Sequence, residues 1–524
     1  MKPISLAAAL LISAAPALAQ TQGEIWWKHV EILATDDMQG RLTGSPGHAR
    51  AVAYVADRFR AFGLQPAGVD GYIQPVALEQ QRVVAAGSRA ALVADGASTP
   101  LTVGRDIIIG AGGGPRPASI EAPLVFAGYG LHLPEAGHDD FAGLDIRGKV
   151  VVVISGGPQT ISGALKSHAR RERAAYVASQ GGLGIIDLTT PKAIEIPWAR
   201  QMLLSSQPGM YLADPALRDS ARPLFDARVD PAQAEKLFTR SGHSFAEMAA
   251  LADASAAVPG FALNQSIRAA ISAERAPVHS ANVVGRLPGS DPKLAAENVI
   301  VSAHVDGLGV GEPINGDRIY NGAIDNASGV ASLLEIARRF QADKARPKRS
   351  ILFVVVTAEE KGLLGSRYFA ARPTVPKASL VADVNYDMAL PLWPLTSVLM
   401  HGAGESSLGT LAASVGQDHG LPLVTDPFPD RNVFVRSDQY SFIRAGIPSL
   451  FVKFGFRAGT PDAETERAWR ANRYHSPSDD PAQPVMKEEA VKLDRYVGDL
   501  VLRIADAPTR PTWNTDSFFK RFAD

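Results

Sequence analysis

Three stretches decide the fold: ENVIVSAHVD (Glu297 to Asp306), NGAIDNASGVASLLEIARRF (Asn321 to Phe340) and SILFVVVTAEE (Ser350 to Glu360). The first and third are short, nearly unbroken apolar runs, the pattern of strands buried on both faces. Between them, Ser328 to Phe340 carries apolar residues at helical spacing. Strand, helix and strand in this order predict parallel strands with a helix crossing one face. The same alternation continues through LVADVNYDM (Leu380 to Met388), a helix over Leu408 to His419, the strand IPSLFVKF (Ile447 to Phe454) and a closing helix over Val485 to Ile504. The expected class is α/β, a mostly parallel mixed sheet with helices on both faces.

Upstream the pattern changes. The segment from Glu24 to Gly68 reads as helical, with Val52, Val55, Phe59 and Phe62 on one face and Gly63 as a stop signal. From Ala118 to Phe261, the runs APLVFAGYG, KVVVVISG and GGLGIIDL are short and β-rich, with a helix expected over Ser167 to Ser179 and another opening at Asp230-Pro231. The division expected is 20–117 and 262–510 for one main domain, 118–261 for a small inserted β-rich domain, and 511–524 for a C-terminal tail. Residues 1–19 read as a secretory signal peptide. Lys2 precedes an apolar run, and Ala17-Leu18-Ala19 is a small-x-small cleavage site. Export to the periplasm or beyond is the expectation, and no later run is long enough to span a membrane.

The chain has 524 residues, 53 Lys plus Arg, 54 Asp plus Glu and no cysteine. The length asks for more than one domain. The charge balance argues against a nucleic-acid partner. Without cysteine there are no disulfides, thiolate metal sites or thiol nucleophiles. A bound metal must therefore be held by His, Asp and Glu.

Such residues collect where the apolar runs end, and ligands of open α/β sheets sit beyond the carboxyl ends of strands. His304 ends VIVSAH, and Asp306 two residues on could accept a proton from its ring. Asp325 precedes a helix, where an N-cap is the plain alternative. Glu359 and Glu360 end SILFVVVTAEE, a costly pair unless solvated or bound to a cation. Asp387 ends LVADVNYD, and His475 lies in the loop RYHSPSDD. Alone, each is an ordinary turn, cap or surface residue. Together they make an oxygen- and nitrogen-donor set suited to two divalent ions. Two zincs about 3.5–4 Å apart can lower the pKa of a shared water and polarise a carbonyl. His401, which ends the strand-like run VLMH, is the other histidine with some of this context.

HVD, DNASG, TAEEKGLLGS, NYDM and YHSPSDD, in this order and spacing, resemble the co-catalytic di-zinc exopeptidases of the bacterial leucyl aminopeptidase and aminopeptidase Y family. The opening HVEILATDDMQGRLTGSPG and YVADRFRAFGLQPAG are similar too, so the resemblance runs from about Glu24 to Ile504. The inserted segment resembles the protease-associated domain of many members. The resemblance implies that His304 and Asp387 bind one zinc, that Glu360 and His475 bind the other, and that Asp325 bridges both. It implies Glu359 as general base and acid, Asp306 as the residue orienting His304, and peptides as substrates. One departure is Gln439, which follows Ser437-Asp438 where many relatives have His.

The leading expectation is an aminopeptidase. The alternative on the same zinc pair is a carboxypeptidase or N-acyl amino acid hydrolase, which needs a cation for the substrate carboxylate. Arg431 and Arg436 are the candidates, and Tyr474 is a candidate substrate contact. A two-metal phosphoesterase and a non-catalytic binding protein are the other classes weighed.

Overall fold

A computed structural model of the chain describes residues 20–111, 117–218, 225–431 and 433–523. Residues 1–19, read above as a signal peptide, lie outside the described residues. The main sheet runs, in spatial order, Gly209–Leu212, Ile73–Val83, Ala273–Leu287, Ser350–Val356, Asn298–His304, Leu380–Tyr386, Ser449–Phe454, Val398–His401 and Leu423–Val424. Gln65–Pro66 adds a short piece beside Ala273–Leu287. Parallel pairing joins the four central strands from Ser350–Val356 to Ser449–Phe454. The strands flanking this centre pair antiparallel, so the sheet is mixed.

The four central strands are buried at every residue, which is why their sequences are apolar without alternation. The helix Ser328–Ala342 covers one face together with Gln22–Leu33, Pro46–Phe62 and Lys487–Asp506. Trp26 Nε1 donates to Ser332 Oγ at 3.0 Å, tying the first helix to that layer. On the other face, Leu364–Ala371 and Gln439–Arg444 pack through Phe369 and Phe442.

The stretch expected to be helical from Glu24 is two helices separated by a tight turn over Asp36–Arg41. Pro46 at the first helical position and the Ser45 side chain, which accepts from His48 N, start the second helix. Gly63 ends it with φ +83°, as its type predicts. The helix expected after Asp230-Pro231 is instead a set of turns leading to a short 3-10 segment, Ala234–Leu237.

A second, eight-stranded sheet has the order Ala97–Leu101, Arg89–Ala94, Gly260–Ala270, Ser119–Ala127, Val150–Ile154, Gly184–Leu188, Phe225–Val229 and Ile107–Ile109. It therefore starts near residue 89 and closes near 270, wider than the 118–261 read from the sequence. The reason is a long ribbon: Ile73–Val83 pairs with Ala273–Val283 in antiparallel register, Val83 opposite Ala273. The chain leaves and returns along this ribbon. The Gly-rich stretch after Ile109 stands, in sequence, between two strands of the second sheet, Ile107–Ile109 and Ser119–Ala127. Residues 511–523 are not a loose tail either. Trp513 and Phe519 are buried against Leu363, Val435, Tyr440 and Ile443. Among the described residues, no helix is long and apolar enough to cross a membrane.

Candidate metal centre

The strand Asn298–His304 lies between Ser350–Val356 and Leu380–Tyr386, although it precedes both in sequence. The chain thus steps to one side and then the other, which opens a crevice at the carboxyl ends of these strands. The register puts His304 beside Val356, and Ala303 beside Tyr386. Asp306, Glu359, Glu360 and Asp387 follow directly from those three ends.

The turns are held by side chains. The Asp306 carboxylate accepts from the backbone N–H of Glu359 at 3.0 Å and of Glu360 at 3.3 Å, and from Thr43 Oγ1 at 3.2 Å. It therefore fixes the pair of glutamates as much as it faces His304. His304 Nδ1 lies 3.2 Å from the Asp306 carbonyl oxygen. A carbonyl only accepts, so Nδ1 carries the proton and Nε2 turns to the acids. Asp325 sits in a wide turn before Ser328 and does not cap the helix with its side chain. The backbone N–H groups of Ile324 and Asp325 donate to the two oxygens of Asp479 at 2.9 and 3.0 Å. Asn326 Nδ2 donates to the Tyr386 carbonyl, and its Oδ1 accepts from Gly329 N. A Cβ on Gly329 would lie 2.2 Å from that oxygen, so the close approach requires glycine. Lys453 Nζ donates to the carbonyls of Asp387 and Met388, each at 3.0 Å. His475 has φ +54°, a left-handed conformation costing roughly 1–2 kcal/mol for a residue with a Cβ.

The side chains converge. His304 Nε2 lies 3.4 Å from Asp325 Oδ1 and 3.6 Å from Asp387 Oδ1. His475 Nε2 lies 3.3 Å from Asp325 Oδ2 and 3.3 Å from Glu360 Oε2. Two groups of three possible ligands result, His304–Asp325–Asp387 and Asp325–Glu360–His475, with ligand atoms in each within 4.8 Å of one another. They share Asp325, which offers a different oxygen to each. Glu359 Oε2 is 4.0 Å from His304 Nε2 and belongs to neither group.

The electrostatics are those of acids crowded out of water. Burial works against a charged His304, but the Glu359 charge and the contacts with Asp325 and Asp387 hold its proton affinity well above the usual imidazole range. Burial likewise opposes a charged His475, yet the Glu360 charge and Asp325 raise it to about 9. Asp325 is buried, but its two imidazole partners keep it below the ordinary carboxylate range. Glu359 is pushed well above that range, first by burial, then by the charges of Asp387, Asp438 and Glu360.

All seven residues read from the sequence are at this centre. The other candidates divide. Arg436 lines the cleft of about 230 Å³ over the centre, as do Tyr474, Arg171 and Arg470. Arg431 does not; its Nη1 holds both oxygens of Glu466 at 2.8 Å. His401 is a core histidine, 3.5 Å from Asp426 and pushed down to about 3 by burial and then by Lys453. Gln439 is buried, accepting from Asn385 Nδ2 and donating to the Phe434 carbonyl. Four residues escaped the sequence reading. Arg41 is fully buried and donates to the carbonyls of Leu33, Val305, Asn321 and Gly322, a positive charge beneath the acids. Asp479 and Lys453 hold the backbone of two ligands. Asp438 is fully buried with neither oxygen hydrogen-bonded, and burial raises it to about 7. Asp479 lay within YHSPSDD, where an acid shortly after the ligand histidine was a usable signal. Asp438 was named only as the residue before Gln439, and nothing local marks Arg41 or Lys453.

The cluster fits a divalent pair. His304 Nε2 and Asp387 Oδ1 are buried without a hydrogen-bond partner and face each other's group. The donors are imidazole and carboxylate, three residues to each ion with one shared, which leaves positions open for water or substrate.

Residues 282–501 match the family described as Peptidase family M28. A "Probable zinc metalloprotease" of Pyrenophora teres f. teres is 38% identical over 113 residues, 21% of this chain and 23% of that protein. A "Probable leucine aminopeptidase 2" of Aspergillus fumigatus is 30% identical over 177 residues, 32% of each. The chain spans 20–25% of the length of the first curated relatives it matches. An aminopeptidase structure from Aneurinibacillus sp. strain AM-1 superposes with a TM-score of 0.55 at 20% identity, over 94% of this chain and 95% of that one. The fold is therefore shared along nearly the whole chain, second sheet included.

Proposed function

We propose that the chain is an exported zinc-dependent exopeptidase, an aminopeptidase that hydrolyses the first peptide bond of its substrates. The observation that carries this is the sharing of Asp325: one carboxylate supplies a different oxygen to each of two three-residue groups. The match to Peptidase family M28 and the aminopeptidase fold support it. His304, Asp325 and Asp387 would hold one zinc, and Asp325, Glu360 and His475 the other. When bound, such a pair supplies Lewis acidity, lowering the pKa of water to about 7 and polarising the scissile carbonyl.

The remaining steps fall to this chain's own residues. Glu359, outside both ligand groups, takes the proton of the attacking water and returns it to the leaving amine. Asp306 keeps Glu359 and Glu360 in place through their amides. The test is turnover of aminoacyl-p-nitroanilides with zinc loaded and stripped. Hydrolysis that survives complete zinc removal would sink the reading.

One observation favours the second reading, a carboxypeptidase or N-acyl amino acid hydrolase. Every acid lining the cleft belongs to the ligand groups or is Glu359, whereas Arg171, Arg436 and Arg470 also line it. Among the described residues a free α-amine finds no spare carboxylate in the cleft lining, whereas Arg436 and Arg470, though paired with Glu195 and Glu466, put guanidinium groups on its wall. N-blocked dipeptides discriminate: cleavage of these and not of the anilides replaces the first reading by the second. Export is tested separately, by the N-terminal residue of protein recovered from the periplasm. We assign the second sheet a role in substrate access, as in a protease-associated domain.

A further inference from the structure

Segment 195–207 lies, in sequence, inside the insertion, between a strand of the second sheet, Gly184–Leu188, and the edge strand of the main sheet, Gly209–Leu212. Its polar side chains nevertheless reach across to the metal centre. Gln207 Nε2 donates to the Leu308 carbonyl at 2.5 Å, and Lys361 Nζ donates to Gln207 Oε1 at 3.2 Å. Glu195 lies 3.4 Å from Arg436. Arg200 makes the densest contact. Its Nη1 donates to the carbonyls of Tyr474 at 2.7 Å and Arg470 at 3.4 Å, and its Nη2 to that of Ala471 at 2.6 Å. Leu308, Lys361 and Tyr474 each stand one or two residues from Asp306, Glu360 and His475.

We propose that Arg200 is a positioning residue for His475, so that the inserted part completes the Asp325–Glu360–His475 group. The inference rests on the zinc reading above. Two carbonyls that Arg200 takes belong to the last turn of the helix Pro461–Asn472, where carbonyls lack partners within the helix. A cation there is ordinary capping. The Tyr474 carbonyl is different. It lies past the helix end, in the peptide group that leads into His475. A rigid guanidinium fork bonded to both sides fixes the direction in which the chain enters His475. That residue is the one needing such support, since its left-handed backbone persists only where the surroundings over-determine it. The ring contact between Tyr474 and His475, with centroids 3.9 Å apart, carries the constraint to the imidazole.

The test uses the full chain and the variants Arg200→Met, Arg200→Lys, His475→Ala and the Arg200→Met/His475→Ala double variant. Zinc affinity is read by competition with a chromophoric chelator, alongside thermal unfolding of the zinc-free proteins. The wild type is expected to bind two zincs. Arg200→Met should weaken one of them by about 10–100-fold and leave the other unchanged. Arg200→Lys, which keeps the charge but not the fork, should fall between. In the His475→Ala background, Arg200→Met should have no further effect on the remaining zinc. The proposal is overturned if Arg200→Met changes neither affinity, or if it weakens the remaining zinc of His475→Ala as much as it weakens the wild type. If Arg200→Met does not fold, Arg200→Lys decides alone, and unchanged affinities overturn the proposal. A wild type that binds no zinc pair overturns the functional reading itself and this inference with it, a result distinct from any shown by the variants.

Discussion

His304 is the last residue of a strand buried along its whole length, whereas His475 sits in a loop with a left-handed backbone and a side chain 17% exposed. The first ligand group is supplied by neighbouring strand ends and the turn at Asp325. Its geometry follows from the sheet register, with Lys453 and Asn326 locking the turns. The second takes His475 from a loop far along the chain, held from outside by Arg200, and Glu360 from a turn held by Asp306. A ligand on a strand end inherits the rigidity of the sheet. A ligand on a loop needs its rigidity built separately, and here that requires distant segments.

Asp325 is common to both halves, so Asp325→Ala should break the comparison altogether. Both zincs are lost and turnover falls below detection, measured by metal content and anilide hydrolysis. A variant that retained one zinc would show the groups to be independent. Glu359→Gln spares both halves and removes only the proton carrier. It should lower kcat by about 10²–10⁴-fold with zinc content unchanged. Asp479→Asn loosens the backbone under the shared ligand, so it should weaken both zincs by about 10–100-fold in chelator competition. A loss confined to one site would place Asp479 in one half only. The smallest effect is on pH dependence. In zinc-free protein the folded-state pKa of His475 is raised from 6.5 to about 9, so its contribution to stability is full below 6.5 and lost as pH rises through about 9. His304 is shifted in the same direction. Tm of the zinc-free protein should therefore fall across that window. The zinc-loaded protein, whose imidazoles are unprotonated ligands, should not show this component of the fall.

Four of the site residues were legible because their place in the sequence breaks a local rule, whereas the loop residue His475 stood out only within the motif YHSPSDD. An acid or imidazole directly after a run of buried apolar residues is costly unless something binds it, and His304, Glu359, Glu360 and Asp387 all stand so. Asp325 was ambiguous, since an acid before a helix has a local use as a cap. Arg41 and Lys453 were illegible because what they bind, backbone carbonyls on distant turns, leaves no local mark. Lys453 even reads as an ordinary strand residue in IPSLFVKF. The inserted part was legible as β-rich but misjudged in extent. Its first strands, Arg89–Ala94 and Ala97–Leu101, look like a continuation of Ile73–Val83, and only pairing assigns them to another sheet.

The ribbon of Ile73–Val83 and Ala273–Val283 has a consequence for how the molecule can be rebuilt. Val83 and Ala273 stand opposite each other, with Cα atoms about 5 Å apart as in any antiparallel pair. The two ends of the insertion therefore meet at a single socket. A short hairpin turn can close that socket and keep the register of Ile73–Val83 against Ala273–Val283, at the loss of the edge strand Gly209–Leu212 that the insertion lends to the main sheet. The ribbon makes most of the insertion interchangeable for the sheet, whereas Gly209–Leu212 and the segment around Arg200 tie it to this sheet edge and this metal centre.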